Sequence, residues 1–170
     1  CFAGPEEELV RTEHAQPAIY LVGWVALQLL REQSPSLAFD ATAGLSLGEF
    51  TALAAADALG FEDGLRVVRR RGEVMQQACE ASTGGMAAIV GLDEEAVRDV
   101  CGQAGVSLAN LNCPGQIVIS GDVDKMEAAC DAAKAAGAKR AISLPVAGAY
   151  HSPLMQPAQA GLTEALDKVE

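Results

Sequence analysis

The sequence has little positive charge. Among its 170 residues, 12 are Lys or Arg and 23 are Asp or Glu, which gives a formal net charge of −11 at pH 7. No basic patch interleaved with aromatic side chains occurs along the chain. Because nucleic-acid binding needs such a patch to neutralise phosphates, this composition argues against a nucleic-acid partner.

Histidine is scarce, and the cysteines form no recognisable ligand or disulfide pattern. The only histidines are His14 and His151, which excludes a histidine-rich metal site. The cysteines number five, an odd count, and no C-x-x-C pair occurs among them. These spacings fit neither a zinc site nor a disulfide framework. We therefore expect free thiols in a reducing compartment, the cytoplasm or an organelle, and no metal or redox cofactor.

Long hydrophobic runs are also absent. The longest, PAIYLVGWVALQLL (17–30), is too short to span a bilayer and predicts a buried helix over 17–31. The sequence opens without the basic stretch and short apolar run of a signal peptide. We expect a soluble protein with no membrane partner. With 50% hydrophobic residues, the chain predicts one domain, or one with an inserted subdomain.

The order of predicted elements changes part-way along the chain. LAFDATAG (37–44) predicts a short buried strand, followed by helices over 47–59, ending at Gly60, and over 61–82. Beyond Gly84 and Gly85 we predict strand 86–92, helix 93–105, strands 106–112 and 116–121, helix 122–137 and strand 138–146. This βαββαβ order is the ferredoxin-like arrangement. We therefore predict an α/β fold in which a ferredoxin-like subdomain (85–146) is inserted into a large α/β domain (1–84 and 147–170).

The stretch ATAGLSLGEF (41–50) contains a candidate nucleophile. Ser46 lies between Gly44 and Gly48, at the junction of the predicted strand and helix. A G-x-S-x-G sequence in that context is typical of a nucleophile elbow, where a sharp turn exposes the hydroxyl. The N–H of Leu47, at the start of the helix, would then be an oxyanion donor. The alternative is a glycine-rich turn that contains a spectator serine.

A serine nucleophile needs a base, because its hydroxyl reacts poorly unaided. His14 lies in RTEHAQ, a polar approach to a helix, where a solvated side chain is expected. His151 lies in GAYHSPLM, just past the last predicted strand. Loop histidines beyond strand ends are common bases, so His151 is the candidate; stabilisation of the turn is the alternative role.

Arg71 is the third candidate. It lies at the centre of an apolar helical stripe, three or four residues from Val67, Val68, Val74 and Met75. If the two helices are antiparallel, the first rises about 18 Å and the second returns about 14 Å by position 71, within reach of the elbow. We expect Ser46 and Arg71 to face one pocket. A guanidinium there suits an acyl substrate that carries its own carboxylate.

Several segments, in order, resemble one family. AGLSLGEFTALAAADALGFEDGLRVVRRRGEVMQ is similar to the nucleophile-to-arginine segment of malonyl-CoA:acyl carrier protein transacylases, whose motif is G-H-S-x-G-E-[YF]. The likeness continues through GGMAAIVGLDEE, ANLNCPGQIVISG, AAGAKRAISLPV and YHSPLMQPA, so it covers nearly the whole chain. It implies an α/β-hydrolase-like large domain with the ferredoxin-like insertion. It also implies that the chain is truncated at both ends.

The resemblance assigns a role to each matched residue. Ser46 would be acylated, His151 would be its base and Arg71 would bind the malonyl carboxylate. The other matched positions are Leu47 as oxyanion donor, Gln16 lining the site, Asn112 near the acyl-carrier entrance, and Tyr150, which favours malonyl over methyl-branched substrates. The implied reaction transfers a malonyl group from malonyl-CoA to the phosphopantetheine thiol of acyl carrier protein, in fatty acid or polyketide synthesis. We expect a monomer.

The chain departs from the family pattern, and two rival functions stay open. Leu45 stands where the family usually has His, and the segments that supply the second oxyanion donor and orient the base are absent, so this chain alone is expected to catalyse poorly. One rival is a serine esterase or acyl hydrolase, and the other an inactive carrier-binding remnant. Because carrier protein is acidic, docking needs a local basic patch; the candidates are Arg66, Arg69, Arg70, Lys139 and Arg140.

Overall fold

The computed structural model describes residues 3–169. Backbone contacts divide the chain into two compact units. The first comprises residues 1–75 and 159–170, and the second comprises residues 76–158. Helix α4 continues along the chain from the first unit into the second.

The described part of the first unit is helical. Its elements are α1 (Glu6–Leu9), α2 (Thr12–Gln33), α3 (Gly48–Ala55), the start of α4 (Phe61–Glu80) and most of α7 (Ala158–Leu166). The core lies where α2 meets α4. Tyr20 is fully buried and stacks on Phe61, with 5.7 Å between ring centroids. A Cβ added at Gly64 would overlap the Tyr20 hydroxyl, so glycine there lets α4 lie close against α2.

The second unit contains an antiparallel sheet of four strands. The elements follow the order β1 (Gly84–Val90), α5 (Glu94–Ala104), β2 (Ser107–Cys113), β3 (Gln116–Asp122), α6 (Val123–Ala135) and β4 (Arg140–Ser143). The strands are arranged β2-β3-β1-β4, and every neighbouring pair is antiparallel. The core of this unit includes Ile89 and Ile119 from the sheet, Val97 from α5 and Ala129 from α6, all fully buried.

The predicted strand over 37–44 is wrong. These residues are extended or bent, and none has a ladder partner within the described residues. Leu37 and Phe39 are exposed. A short apolar run predicts burial, but a strand forms only where a neighbouring backbone accepts its hydrogen bonds, and the run itself contains no information about that neighbour.

Three predicted boundaries are also corrected. The helix predicted over 47–59 ends at Ala55, because Asp57 takes a left-handed φ of 55° and the Ala58 N–H returns to the Leu53 carbonyl oxygen at 3.0 Å. Asp57 thereby closes the helix in the way that glycine commonly does, ahead of Gly60. Helix α2 begins earlier than predicted, with Pro17 inside it. The last strand is shorter than predicted, Arg140–Ser143.

Candidate active site

Ser46 lies in a strained turn directly before α3. Its φ is 54°, in the left-handed region that residues other than glycine rarely adopt. The turn is closed by the Gly48 N–H, which donates to the Leu45 carbonyl oxygen at 2.9 Å, and Leu45 is exposed. Leu47 is the N-cap of α3, a position whose N–H the helix leaves unpaired. The half-buried Ser46 hydroxyl is therefore presented at the electropositive end of a helix.

The two glycines that flank Ser46 are not equivalent. A Cβ at Gly44 would overlap the carbonyl group of Gly48. A Cβ at Gly48 would have no heavy atom within 4 Å apart from its chain neighbours and the backbone of its own helix. Only Gly44 is therefore needed for the turn to fit against the start of α3, whereas the sequence pattern had given both glycines the same role.

This difference predicts opposite effects of two alanine substitutions. Gly44→Ala is expected to lower the free energy of unfolding by about 3 kcal/mol, because backbone atoms of the turn would have to move. Gly48→Ala is expected to leave it unchanged or raise it by about 0.5 kcal/mol, since alanine favours the helix. Urea unfolding of the two variants measures both values. Equal losses would show that the turn does not depend on close approach at Gly44.

Arg71 contacts the Ser46 hydroxyl. Its side chain is buried, at 9% exposure, and Nη2 donates to Ser46 Oγ at 2.9 Å. The guanidinium also lies over the Phe50 ring, with Cζ 5.8 Å from the centroid. Burial lowers the pKa of Arg71 below its ordinary value, and the charge of Glu49 acts in the opposite direction. Ser46 and Arg71 were expected to face one pocket, and this hydrogen bond shows that they lie close together, although α3 is shorter than the helix used for that expectation.

Gln16 completes this cluster from α2. It is buried, and its Oε1 accepts a hydrogen bond from Arg71 Nη1 at 2.5 Å. The three residues Ser46, Arg71 and Gln16 therefore form one connected set within the first unit. The other arginines of the same helix are exposed or partly exposed and pair with acidic neighbours: Arg66 with Glu62 and Asp63, and Arg69 and Arg70 with Glu73.

His151 lies in the second unit on a short turn. The imidazole is exposed, and the backbone φ is 59°. Ser152 Oγ donates to the Ala149 carbonyl oxygen at 2.6 Å and so closes the turn around His151. Ala149 is fully buried, and a Cβ at Gly84 would come 2.5 Å from its backbone nitrogen. The turn is thus packed on the start of β1.

Sequence reasoning missed the residue beneath Tyr150. The Tyr150 side chain hydrogen-bonds the buried Cys79 thiol, and burial raises the pKa of that thiol. A Cβ at Gly148 would overlap Cys79 Sγ. Cys79 thus packs under the segment that leads to His151. The only sequence signal was a small residue, Gly148, shortly before the histidine.

Asn112 lies in the second unit at the end of β2, where it is exposed. The hairpin that follows turns at Gly115, which has a φ of 75°, and leads into β3 at Gln116. The Gly91 N–H donates to the Gly115 carbonyl oxygen at 2.8 Å, which fastens the turn to the end of β1. Asn112 therefore lies beside a well-anchored surface turn.

Backbone strain is concentrated at the candidate residues. Between residues 3 and 169, the non-glycine residues with positive φ are Ser46, Asp57 and His151. Asp57 ends a helix, where aspartate tolerates this conformation. The other two are the predicted nucleophile and base. Such strain persists where the surrounding structure holds a side chain in one functional orientation, so at each of these two residues, taken separately, it favours a functional role over a spectator turn.

Among residues 3–169, no group of three or more His, Cys, Asp or Glu side chains is placed to hold a metal ion. Over the same residues, none of the helices has both the length and the apolar character needed to cross a membrane.

Comparison with known proteins identifies the family. The acyl transferase domain family matches residues 2–170. The chain belongs to this family. It is 49% identical over 171 residues to the malonyl CoA-acyl carrier protein transacylase of Bacillus subtilis, covering 98% of this chain and 53% of that protein. The Escherichia coli protein of the same name is 45% identical over 170 residues, covering 98% of this chain and 55% of that protein.

Solved structures share the α/β fold of this acyl transferase chain. A malonyl-transacylase determined in complex with its type II PKS acyl-carrier protein superposes with a TM-score of 0.92 at 41% identity. That comparison covers 99% of this chain and 55% of the solved one. The acyl transferase chain thus spans about half the length of the relatives it matches.

Proposed function

We propose that this acyl transferase, together with the remaining length that its relatives have, moves a malonyl group from malonyl-CoA to acyl carrier protein. The pathway is fatty acid or polyketide synthesis. The observation that carries the proposal is the hydrogen bond from Arg71 Nη2 to Ser46 Oγ. It brings a buried cation, which suits a carboxylate, to the atom that would take the acyl group. The names of the relatives and the carrier complex support the same reaction.

The reaction takes two half-steps on one serine. Ser46 Oγ attacks the thioester carbonyl of malonyl-CoA while His151 takes the hydroxyl proton. The Leu47 N–H stabilises the oxyanion of the tetrahedral intermediate. The carbon–sulfur bond breaks, and coenzyme A leaves with the proton from His151. The phosphopantetheine thiol of the carrier then attacks the malonyl-Ser46 ester, and His151 moves that thiol's proton to the departing Ser46 oxygen.

Arg71 would bind the free carboxylate of the malonyl group. Gln16 and Ser46 each accept from one N–H of the guanidinium, which has five N–H donors and can therefore also bind a carboxylate. Burial strengthens this interaction because little water competes with it. A neutral ester offers the cation no partner, which counts against the esterase as the function.

His151 is the proposed base because a strained turn presents its exposed imidazole. His14 Nδ1 lies 2.8 Å from the Glu8 carbonyl oxygen, near the start of the chain. The strained, closed turn at His151 instead holds an exposed imidazole in one orientation. Tyr150, held by Cys79 beside it, is proposed to favour malonyl over bulkier methyl-branched acyl groups.

We propose that the fold is an α/β-hydrolase-like domain (1–84 and 147–170) with a ferredoxin-like subdomain (85–146) inserted. The order of strands and helices in the second unit supports the subdomain. Two features support a larger domain. Helix α2 has an exposed apolar face, on which Val22 is 65% exposed, and segment 37–44 forms no strand pairing with the other described residues. Both would be covered by further strands and helices of that domain.

Acyl carrier protein is proposed to dock on the second unit near Lys139 and Arg140. The carrier is acidic and this chain has a net charge of −11, so docking needs cations whose charge is not already neutralised. Arg66, Arg69 and Arg70 all pair with acidic side chains. Lys139 packs against Gly91, close to the anchored hairpin turn that Asn112 precedes.

Neutralising this basic pair is expected to weaken carrier binding. The double variant Lys139→Gln/Arg140→Gln should raise KM for acyl carrier protein about tenfold at low salt and flatten its salt dependence, while KM for malonyl-CoA stays unchanged. Lys134→Gln is the matched control, since Lys134 is exposed and already paired with Asp131 at 3.0 Å. Unchanged carrier kinetics in the double variant would place the docking surface elsewhere.

The proposed function is tested by following the acyl group. The protein is mixed with malonyl-CoA, and intact mass measurement with peptide mapping should find one malonyl group, on Ser46. Added acyl carrier protein should remove it and become malonylated. Rapid loss of the malonyl group to water without the carrier would favour the hydrolase. Tight carrier binding without any malonyl-serine would favour the inactive remnant.

A further inference from the structure

We propose that Thr12, in the first turn of α2, is a positioning residue for the carboxylate-binding arginine. The Thr12 hydroxyl anchors the Gln16 amide, and that amide holds Arg71. The inference rests on the proposed function, because its consequence is selectivity for an acyl group that carries a carboxylate. The contacts that carry it all lie within the first unit.

The two ends of the Gln16 amide have different partners. Oε1 accepts from Arg71 Nη1, and Nε2 donates to Thr12 Oγ1 at 2.5 Å. A guanidinium has only donors, so the amide supports Arg71 only with its oxygen toward it. The reversed amide would place N–H groups against N–H groups. The Nε2 end then faces away from the arginine and needs an acceptor of its own to hold the amide in place.

Gln16 Nε2 contacts Thr12 Oγ1 and a second, weaker acceptor. The second is Met75 Sδ at 3.4 Å, and a thioether sulfur accepts weakly. Gln16 is only 6% exposed, so water is a poor substitute for either partner. Without the threonine hydroxyl, Gln16 Nε2 loses its better acceptor, and the amide is held less firmly in the position that serves Arg71.

Close packing of α4 on α2 makes this connection possible. Gly72 follows Arg71 directly, and a Cβ there would come 2.7 Å from the Thr12 carbonyl oxygen and 2.9 Å from Glu13 Cα. The start of α2 therefore lies against the turn of α4 that carries Arg71. Thr12 itself is 6% exposed, which keeps its hydroxyl within the buried network.

The consequence is specific to the carboxylate. Loss of the hydroxyl should loosen the guanidinium on its Gln16 side, whereas the turn that presents Ser46 is closed by its own backbone hydrogen bond and by close packing at Gly44. An acyl group with a carboxylate should lose transfer rate, whereas one without a carboxylate should not. A residue that merely stabilised the fold would affect both alike.

The experiment compares two acyl donors in the complete enzyme. Thr12→Val removes the hydroxyl at nearly constant shape, and Thr12→Ser keeps it. Thr12→Val should lower kcat/KM for malonyl-CoA about five- to tenfold, mainly through KM, and leave the slow reaction of acetyl-CoA unchanged. Thr12→Ser should restore the malonyl value. In a Gln16→Ala background, Thr12→Val should have no further effect, because Thr12 acts through Gln16.

Three results would contradict the proposed role of Thr12. Equal losses with both donors, no loss with malonyl-CoA, or a full additional loss in the Gln16→Ala background would overturn the role of Thr12. If Thr12→Val does not fold, Thr12→Ala is measured against the same criteria. Arg71→Ala separates the two proposals: if it does not reduce the preference for malonyl-CoA over acetyl-CoA, the proposed function itself fails, whatever Thr12→Val does.

Discussion

Ser46→Ala is expected to lower malonyl transfer by about 10⁴–10⁶ and to abolish the malonyl-enzyme. Ser46 Oγ is the atom that would form the covalent bond, and the turn leaves no other hydroxyl at the start of α3 within GLSLG. The measurement is intact mass after mixing with malonyl-CoA, together with the steady-state rate. Ser36→Ala, an exposed serine in the loop after α2, is the control and should behave as the wild type.

The stability of a second variant tests whether the turn is strained for function. Ser46→Gly should be as inactive as Ser46→Ala, yet more stable than it by about 1 kcal/mol, because glycine adopts a φ near 54° without penalty. Urea unfolding gives the difference. A malonyl group found on Ser46→Ala protein would show that another residue is the nucleophile, and equal stabilities would remove the argument from strain.

Arg71→Ala is expected to lower kcat/KM for malonyl-CoA by about 10²–10³ and to leave the reaction of acetyl-CoA within about twofold of its value. The loss has this size because a buried carboxylate would lose a charged, bidentate partner. Arg71→Lys should recover part of it, since an ammonium keeps the charge but cannot match both carboxylate oxygens.

The matched control for Arg71→Ala is a substitution of another arginine on helix α4. Arg69→Ala removes an exposed arginine that pairs with Glu73 at 3.0 Å, and it should leave both donors unaffected. Circular dichroism and unfolding midpoints check that the Arg71 variants are folded. If rapid ester hydrolysis appears and survives in Arg71→Ala, the protein is a hydrolase and not a malonyl transferase.

Helical periodicity made Arg71 predictable from the sequence. A cationic residue at the centre of an apolar stripe is buried when the helix packs. A buried guanidinium then needs hydrogen-bond acceptors close to it. The structure places it on Gln16 and Ser46, while its neighbours Arg66 and Arg69 pair with acids at the surface. The sharp turn at Ser46 was equally predictable, because few sequences other than G-x-S-x-G allow such a turn around a serine.

Other features depended on contacts between distant segments. The 37–44 run reads as a strand but has no ladder partner in the described residues, and pairing depends on a second segment. Three further features depend on which atoms come close in space. They are the end of α3 at Asp57, the requirement for glycine at position 44 but not at position 48, and the contact of Tyr150 with Cys79. No local pattern encodes them.

The sequence by itself determined the family, the helix that carries Arg71 and the turn that carries Ser46, because these follow from motif and periodicity along one segment. Only the tertiary structure decided that the Arg71 guanidinium touches Ser46 Oγ and that Gln16 and Thr12 stand behind it. Those contacts join residues from two helices, α2 and α4, and the turn before α3. Their geometry is set by how closely α4 can approach α2, which depends on packing and not on local sequence.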